Sequence, residues 1–169
     1  MSEPTANPDA AIKLKEKVGD LKIAMMTTEV ADGHLHSRPM HTSEVESTGI
    51  FWFFTSDHSG KIQELQRNNQ VNLAYSDPDG DTYISVTGYA ELVKDKAKMH
   101  DLWNPMLKAW FPDGLDTSDI ALLKIVANGA EYWDTSSNAM VHLYGVAKAL
   151  LTGKSARGDA GEHEELDIR

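Results

Sequence analysis

The spacing of apolar and polar positions changes repeatedly along the chain, and each change marks an element. Residues 1–8 are polar and predict a disordered N-terminus. Residues 9–18 place Ile12, Leu14 and Val18 as anchors of a short amphipathic helix that Gly19 ends. Leu21 to Thr28 alternates as a strand, with Leu21, Ile23 and Met25 on one face. Asp32-Gly33 signals a hairpin, and His34 to Ser43 is the returning strand. Gly49 opens the run 50–55, Ile-Phe-Trp-Phe-Phe-Thr, a strand whose two faces both read as buried. The period then becomes helical over 58–68.

Val71 to Ser76 alternates again. Asp77-Pro78-Asp79-Gly80 reads as a turn, with Gly80 expected to take the positive φ. Thr82 to Val93 predicts a long strand in which Gly88 marks a bulge or the close approach of another group. Lys94 to Trp110 has a helical pattern that Pro105 interrupts, and Pro112-Asp113-Gly114 turns. Ala121 to Asp134 reads as a hairpin or as one long strand broken at Asn128-Gly129, and Asn138 to Leu151 as a helix. From Thr152 the chain is small and charged, a mobile tail or a late edge strand. The domain expected is 9–151, with 152–169 as a tail.

Six or seven strands with few helices, two hairpin signals and a strand pair without a helical crossover predict an α+β fold. The sheet should be mostly antiparallel and close or nearly close into a barrel, which removes exposed edges. A chain of 169 residues is long enough for one domain with a sizeable core. Its formal charge of −10 disfavours nucleic acid and anionic membrane surfaces as partners. The absence of cysteine excludes disulfides, thiol nucleophiles and thiolate-held metals. It fits a reducing cytoplasm. No apolar run approaches the ~20 residues of a membrane span, and the polar start lacks the core of a signal peptide.

The stretch Phe51 to Lys61 carries the clearest chemistry. A buried strand ends at Thr55 and Ser56, a polar turn follows, and a helix starts near Ser59 and Lys61. Free N–H groups at a helix start, hydroxyl donors and an ammonium suit a phosphate. The alternative is a capped surface helix, with Ser56 or Asp57 as N-cap and Lys61 in solvent. Asp77 to Asp81 resembles the opening of a calcium loop, but Thr82 and Gly88 stand where glycine and glutamate are needed. Gly153-Lys154-Ser155 resembles the end of a P-loop, but Lys148 replaces its first glycine. His34 and His36 share a strand face with no third ligand in view and His41 on the opposite face, so no metal is expected.

Four passages in order give the chain its resemblance to a known group. They are His36-Ser37-Arg38-Pro39-Met40, then Phe53 to Lys61, then Val71 to Asp77 with Tyr83 to Gly88. Last come Trp103-Asn104-Pro105, Trp110-Phe111-Pro112 and Glu131-Tyr132-Trp133-Asp134. Over residues 10–150 the chain resembles the flavin-binding split-barrel family related to pyridoxamine 5′-phosphate oxidase, in its general stress protein branch. The resemblance implies an FMN-binding homodimer with the cofactor at the subunit interface. It places Arg38, Pro39 and Met40 along the flavin ring. Thr55, Ser56, Ser59 and Lys61 are placed on the phosphate and ribityl chain, and Trp103, Trp110 and Trp133 near the ring. Pro39 has no N–H, so donors beside it are expected from Arg38 or Met40.

Two departures narrow that expectation. Gly60 stands before Lys61 where the oxidases have an arginine–lysine pair, and the basic, tryptophan-rich end that binds their substrate is missing. Vitamin B6 oxidation is therefore not expected. The function implied is an FMN-dependent oxidoreductase exchanging electrons with a small-molecule donor or acceptor. The alternatives are a non-catalytic flavin-holding or flavin-sensing module and a relative that binds haem or a deazaflavin. An open cleft would favour an enzyme, and a histidine facing the cleft would favour haem.

Overall fold

The structure, a computed structural model, describes residues 7–134 and 162–168. The predicted helix 138–151 lies outside the described residues. Helix α1 (Pro8–Val18) starts on Asn7, whose side chain accepts from the Ala10 N–H, and ends at Gly19 with φ 49°. Strands β1 (Ile23–Glu29), β2 (Leu35–Val45) and β3 (Ile50–Ser56) follow, then helix α2 (Gly60–Arg67). After these come β4 (Gln70–Asp77), β5 (Thr82–Val93), helix α3 (Lys96–Leu102) and β6 (Ile120–Asp134). Strand β7 (Glu162–Asp167) is the last element described. Pro105 ends the α3 segment as expected, and two short 3₁₀ turns, Pro105–Ala109 and Gly114–Asp116, carry the chain to β6.

The sheet order is β3-β2-β1-β4-β5-β6-β7, and a further pairing of β3 with β6 closes the first six strands into a barrel. Every strand pair is antiparallel. One long strand makes the closure possible. Residues 120–126 of β6 pair with β3, while residues 129–134 pair with β7. The break at Asn128-Gly129 is therefore a bulge inside a single strand: Thr87 pairs with Gly129 and Gly88 with Ala127, leaving Asn128 unopposed. Gly88 belongs there because a Cβ would lie 2.5 Å from the Val126 carbonyl oxygen.

Two apolar clusters explain why both faces of β3 are buried. Phe51 and Phe53 point into the barrel with Met26, Leu73, Tyr75, Ile84, Ile125 and Tyr132, and Leu14 and Val18 of α1 join that core. Trp52 and Phe54 point outward under Met99, Leu107, Phe111, Ile120 and Leu122. Lys98 holds this outer layer down. Its ammonium pairs with Glu44 at 2.7 Å and Glu46 at 3.0 Å and lies 5.0 Å over the Trp52 ring.

Ile23 and Met25 share a β1 face that looks outward, while Ala24, Met26 and Thr28 face the core. Two local details differ from the sequence reading. The turn after β4 puts its positive φ on Asp81 (49°), not on Gly80. A Cβ at Gly80 would meet Asp77 Oδ2 at 2.5 Å, a contact the Asp77 side chain can relieve by moving. Helix α2 starts at Gly60, and its N-cap is Ser59 rather than Ser56 or Asp57.

Candidate functional site

Strands β2 and β3 separate after a short ladder. Their pairing covers Val45↔Phe51, Glu44↔Trp52 and Thr42↔Phe53, with a register shift at Ser43, and ends there. Beyond it β2 stays with β1 while β3 stays with β6. The gap holds a cavity of about 460 Å³, a size typical of small-molecule sites. Its walls are Ile23, Arg38, Pro39, Met40 and His41 on one side, and Phe54, Thr55, Ser56, Ser59 and Lys61 on the other. Leu107, Trp110 and Phe111 cover it. A larger groove of about 590 Å³ beside the end of α1 gathers Lys15, Glu16, Asp20, Lys22 and Glu44, charges of both signs. It converges on none of the predicted residues.

Backbone direction along β2 is fixed by one bond. The Thr42 N–H donates to the Lys22 carbonyl at 2.7 Å, and the β1–β2 register runs unbroken from Ile23↔His41 to Glu29↔Leu35. In an antiparallel pair alternate residues turn their polar groups to the same neighbour. Met40 and Arg38 therefore direct their backbone groups to β1, and His41 N–H and the Pro39 carbonyl point toward the gap. The expectation that Arg38 or Met40 supplies the backbone donors is corrected by this parity. Ile23, His41, Phe54, Leu107 and Phe111 line the cavity without having been singled out as site residues from the sequence, and for His41 parity with Pro39 was a usable signal.

At the other end the hydroxyls and the ammonium converge. Lys61 Nζ donates to Thr55 Oγ1 at 3.1 Å and Ser59 Oγ at 3.0 Å. Among the described residues no carboxylate pairs with it. Burial pushes its pKa down, the charge of Arg38 adds to that, and Glu64 opposes them. Ser59 occupies the N-cap position of α2 without capping it, because its hydroxyl faces Lys61 and Thr55. The first-turn N–H groups of α2 thus lie beside a cation and two hydroxyls, an arrangement suited to an anion. Ser56 serves differently: its hydroxyl donates to the Asp119 carboxylate, and the Asp57 N–H donates to the Asp119 carbonyl at 2.8 Å. These bonds fix the loop.

Arg38 lines the cavity with its charge already matched. Its guanidinium donates to Thr28 Oγ1 and Glu64 Oε2, each at 2.7 Å. Burial would raise the Glu64 pKa, but hydrogen bonds from Thr28, His36 and Arg38 and the Arg38 charge hold it below the usual range.

The predicted tryptophans divide. Trp110 lines the cavity and is 62% exposed at its rim. Trp103 stands behind it, edge-on to Phe54 with centroids 5.7 Å apart, and belongs to the outer core cluster. Trp133 is not among the residues that line the cavity; it stacks on His163 of β7 at 5.2 Å. Asp57, His58 and Asp119 bring three metal-type ligand atoms together. Lys94 and His58 already pair with Asp57, however, and Ser56 with Asp119.

The chain is a six-stranded antiparallel barrel, split between two strands by a cavity with a cationic, hydroxyl-lined end and an aromatic cover, the architecture of a split barrel. The chain belongs to the pyridoxamine 5′-phosphate oxidase-like family, whose profile matches residues 9–157. It is 31% identical over 168 residues to Protein bli-3 of Neurospora crassa, spanning 89% of this chain and 80% of that protein. The general stress FMN/FAD binding protein of Xanthomonas citri superposes with a TM-score of 0.66 at 29% identity, covering 78% of this chain and 93% of that one. A protein described as general stress protein 26 from Jannaschia sp. CCS1 shares the fold, with a TM-score of 0.70 at 23% identity. The match covers 94% of this chain and 98% of the other. Among the described residues no helix is long and apolar enough to cross a membrane.

Proposed function

We propose that the chain binds flavin mononucleotide in the cavity between β2 and β3 and exchanges electrons with a small molecule there. The observation that carries this reading is Lys61, a half-buried ammonium held by two hydroxyls at the N-terminus of α2 with no carboxylate partner among the described residues. Such a cation is costly to bury alone and is matched by a phosphate monoester. Binding of FMN or FAD by the Xanthomonas citri relative supports a flavin, and the single lysine favours the mononucleotide.

Bound flavin supplies reversible two-electron chemistry. The chain supplies the rest. Lys61, Ser59 and Thr55 hold the phosphate, and Ser56 braces their loop against Asp119. The segment Arg38 to His41 orients the ring. Phe54, Leu107, Trp110 and Phe111 cover its apolar surface and exclude water. The exposed rim at Trp110 leaves an approach for a second molecule, which favours turnover over storage.

The active form in this reading is a homodimer. Pro39, Met25 and Ala74 lie side by side across β2, β1 and β4 on the outward face, all exposed, and Pro39 also lines the cavity. A second copy on that face would bury this row and complete the ring pocket, and sedimentation of the holoprotein tests it. A haem reading is favoured by one observation only, that His41 lines the cavity. An absorbance scan after loading with FMN and desalting separates these readings. Flavin bands retained at one per subunit support the proposal, and reduction by a nicotinamide would follow. Loss of flavin with uptake of haemin and a Soret band would overturn it.

A further inference from the structure

We propose that the His41 side chain is a positioning residue that hydrogen-bonds the polar edge of the bound flavin ring. This rests on the flavin reading above, but the observations are independent of the phosphate end. His41 lines the cavity on the β2 side. Its Nδ1 is buried and has no hydrogen-bond partner among the described residues. No hydrogen bond fixes its Nε2 among the described residues either. An unpaired buried nitrogen is destabilising, so folding alone gives no reason for histidine here.

The surroundings define the role. His41 is registered with Ile23 of β1, and Phe54 is the next residue of β3 beyond the last β2–β3 pair. The imidazole is thus a polar group set in an apolar wall, opposite the cover formed by Leu107, Trp110 and Phe111. Its own N–H points into the same gap by strand parity. Backbone and side chain of one residue therefore address one edge of whatever planar ring enters. A flavin ring carries carbonyl and ring-nitrogen acceptors beside an N–H donor on one edge, and hydrogen bonds there tune its potential. Arg38 is less suited to this task because Thr28 and Glu64 already hold its guanidinium.

The test compares FMN with riboflavin, which has the ring and lacks the phosphate, on the wild-type chain, His41→Phe, His41→Gln and Lys61→Ala. His41→Phe should weaken both ligands by the same factor, about tenfold for one lost hydrogen bond. It should also move the visible bands and the midpoint potential, and His41→Gln should restore part of each. Lys61→Ala should weaken FMN alone. In the absence of flavin His41→Phe should melt no lower than wild type, since it removes an unpaired group; if it fails to fold, His41→Gln carries the comparison. Unchanged affinities, bands and potential in the His41 variants, with flavin still bound, would overturn this inference and leave the flavin reading standing. Failure of the wild-type chain to hold either ligand would overturn both.

Discussion

Replacing Lys61 with alanine is the most direct probe of the proposed phosphate contact. The ammonium donates to Thr55 at 3.1 Å and Ser59 at 3.0 Å, so it is already aimed at a point shared with the α2 N-terminus. A hydrogen bond from a charged donor contributes about 1.5–3 kcal/mol. At 1.4 kcal/mol per tenfold, Lys61→Ala should weaken FMN by about ten- to a hundredfold. Riboflavin should lose almost nothing, because the lysine has nothing to meet on it. Flavin fluorescence quenching in parallel titrations gives both constants. An FMN affinity unchanged by the substitution, or an equal loss for riboflavin, would refute the phosphate assignment. The sign of the pH dependence follows from the same burial. Without ligand the Lys61 pKa lies below its ordinary 10.5, so the unfolded chain binds more protons between those two values, and stability rises with pH through that window. A phosphate favours the charged form, so FMN affinity should fall as pH rises toward 10.5.

Further outcomes follow from the same contacts. Lys61→Met removes the desolvated charge and should raise the ligand-free Tm by about 2–4 °C, the equivalent of about 1 kcal/mol in a chain of this size; a lower Tm would show that its hydroxyl contacts matter more. Glu64→Gln should cost about 1–3 kcal/mol near neutral pH by loosening Arg38 and Thr28. Because the Glu64 pKa is depressed on folding, that difference should shrink as pH falls through the folded value, which urea titrations at several pH values would show. Gly88→Ala should destabilise by about 1–3 kcal/mol, since its methyl would meet a backbone oxygen at 2.5 Å. Trp110→Ala should leave the melting temperature nearly unchanged while making bound flavin more accessible to iodide, whereas Trp103→Ala should lower it.

Local pattern carried the elements well, because each depends on neighbours in sequence. β3 is apolar from Ile50 to Phe54 since two separate clusters claim its two faces, and Pro105 stopped α3 for a steric reason visible in the residue itself. What could not be read locally is pairing. Nothing in Phe51 to Ser56 says that its second neighbour is residues 120–126, or that β2 leaves it after Thr42. The cavity exists because of that departure, so His41 gained its position from a long-range event. The outward turn of Ile23 and Met25 was hidden for a related reason: Ala24, Met26 and Thr28 are an acceptable core face too, and only the barrel decides between them. Lys61, Ser59 and Thr55 were legible because strand, turn and helix start lie within one short segment.

The β3–β6 seam also has a kinetic meaning. It joins residues 50–56 to 120–126, and the Ser56 and Asp57 bonds to Asp119 lie at its end. Contacts so distant in sequence are costly to form early in folding. The loop from Ser56 to Lys61 is therefore fastened only when the barrel closes, so a ligand held there would recognise closed molecules and no open ones. Its binding free energy then adds to closure by mass action, about 2.7 kcal/mol at a hundredfold excess over Kd. In the flavin reading, the rate at which a refolding chain begins to quench flavin fluorescence should report the zipping of this seam.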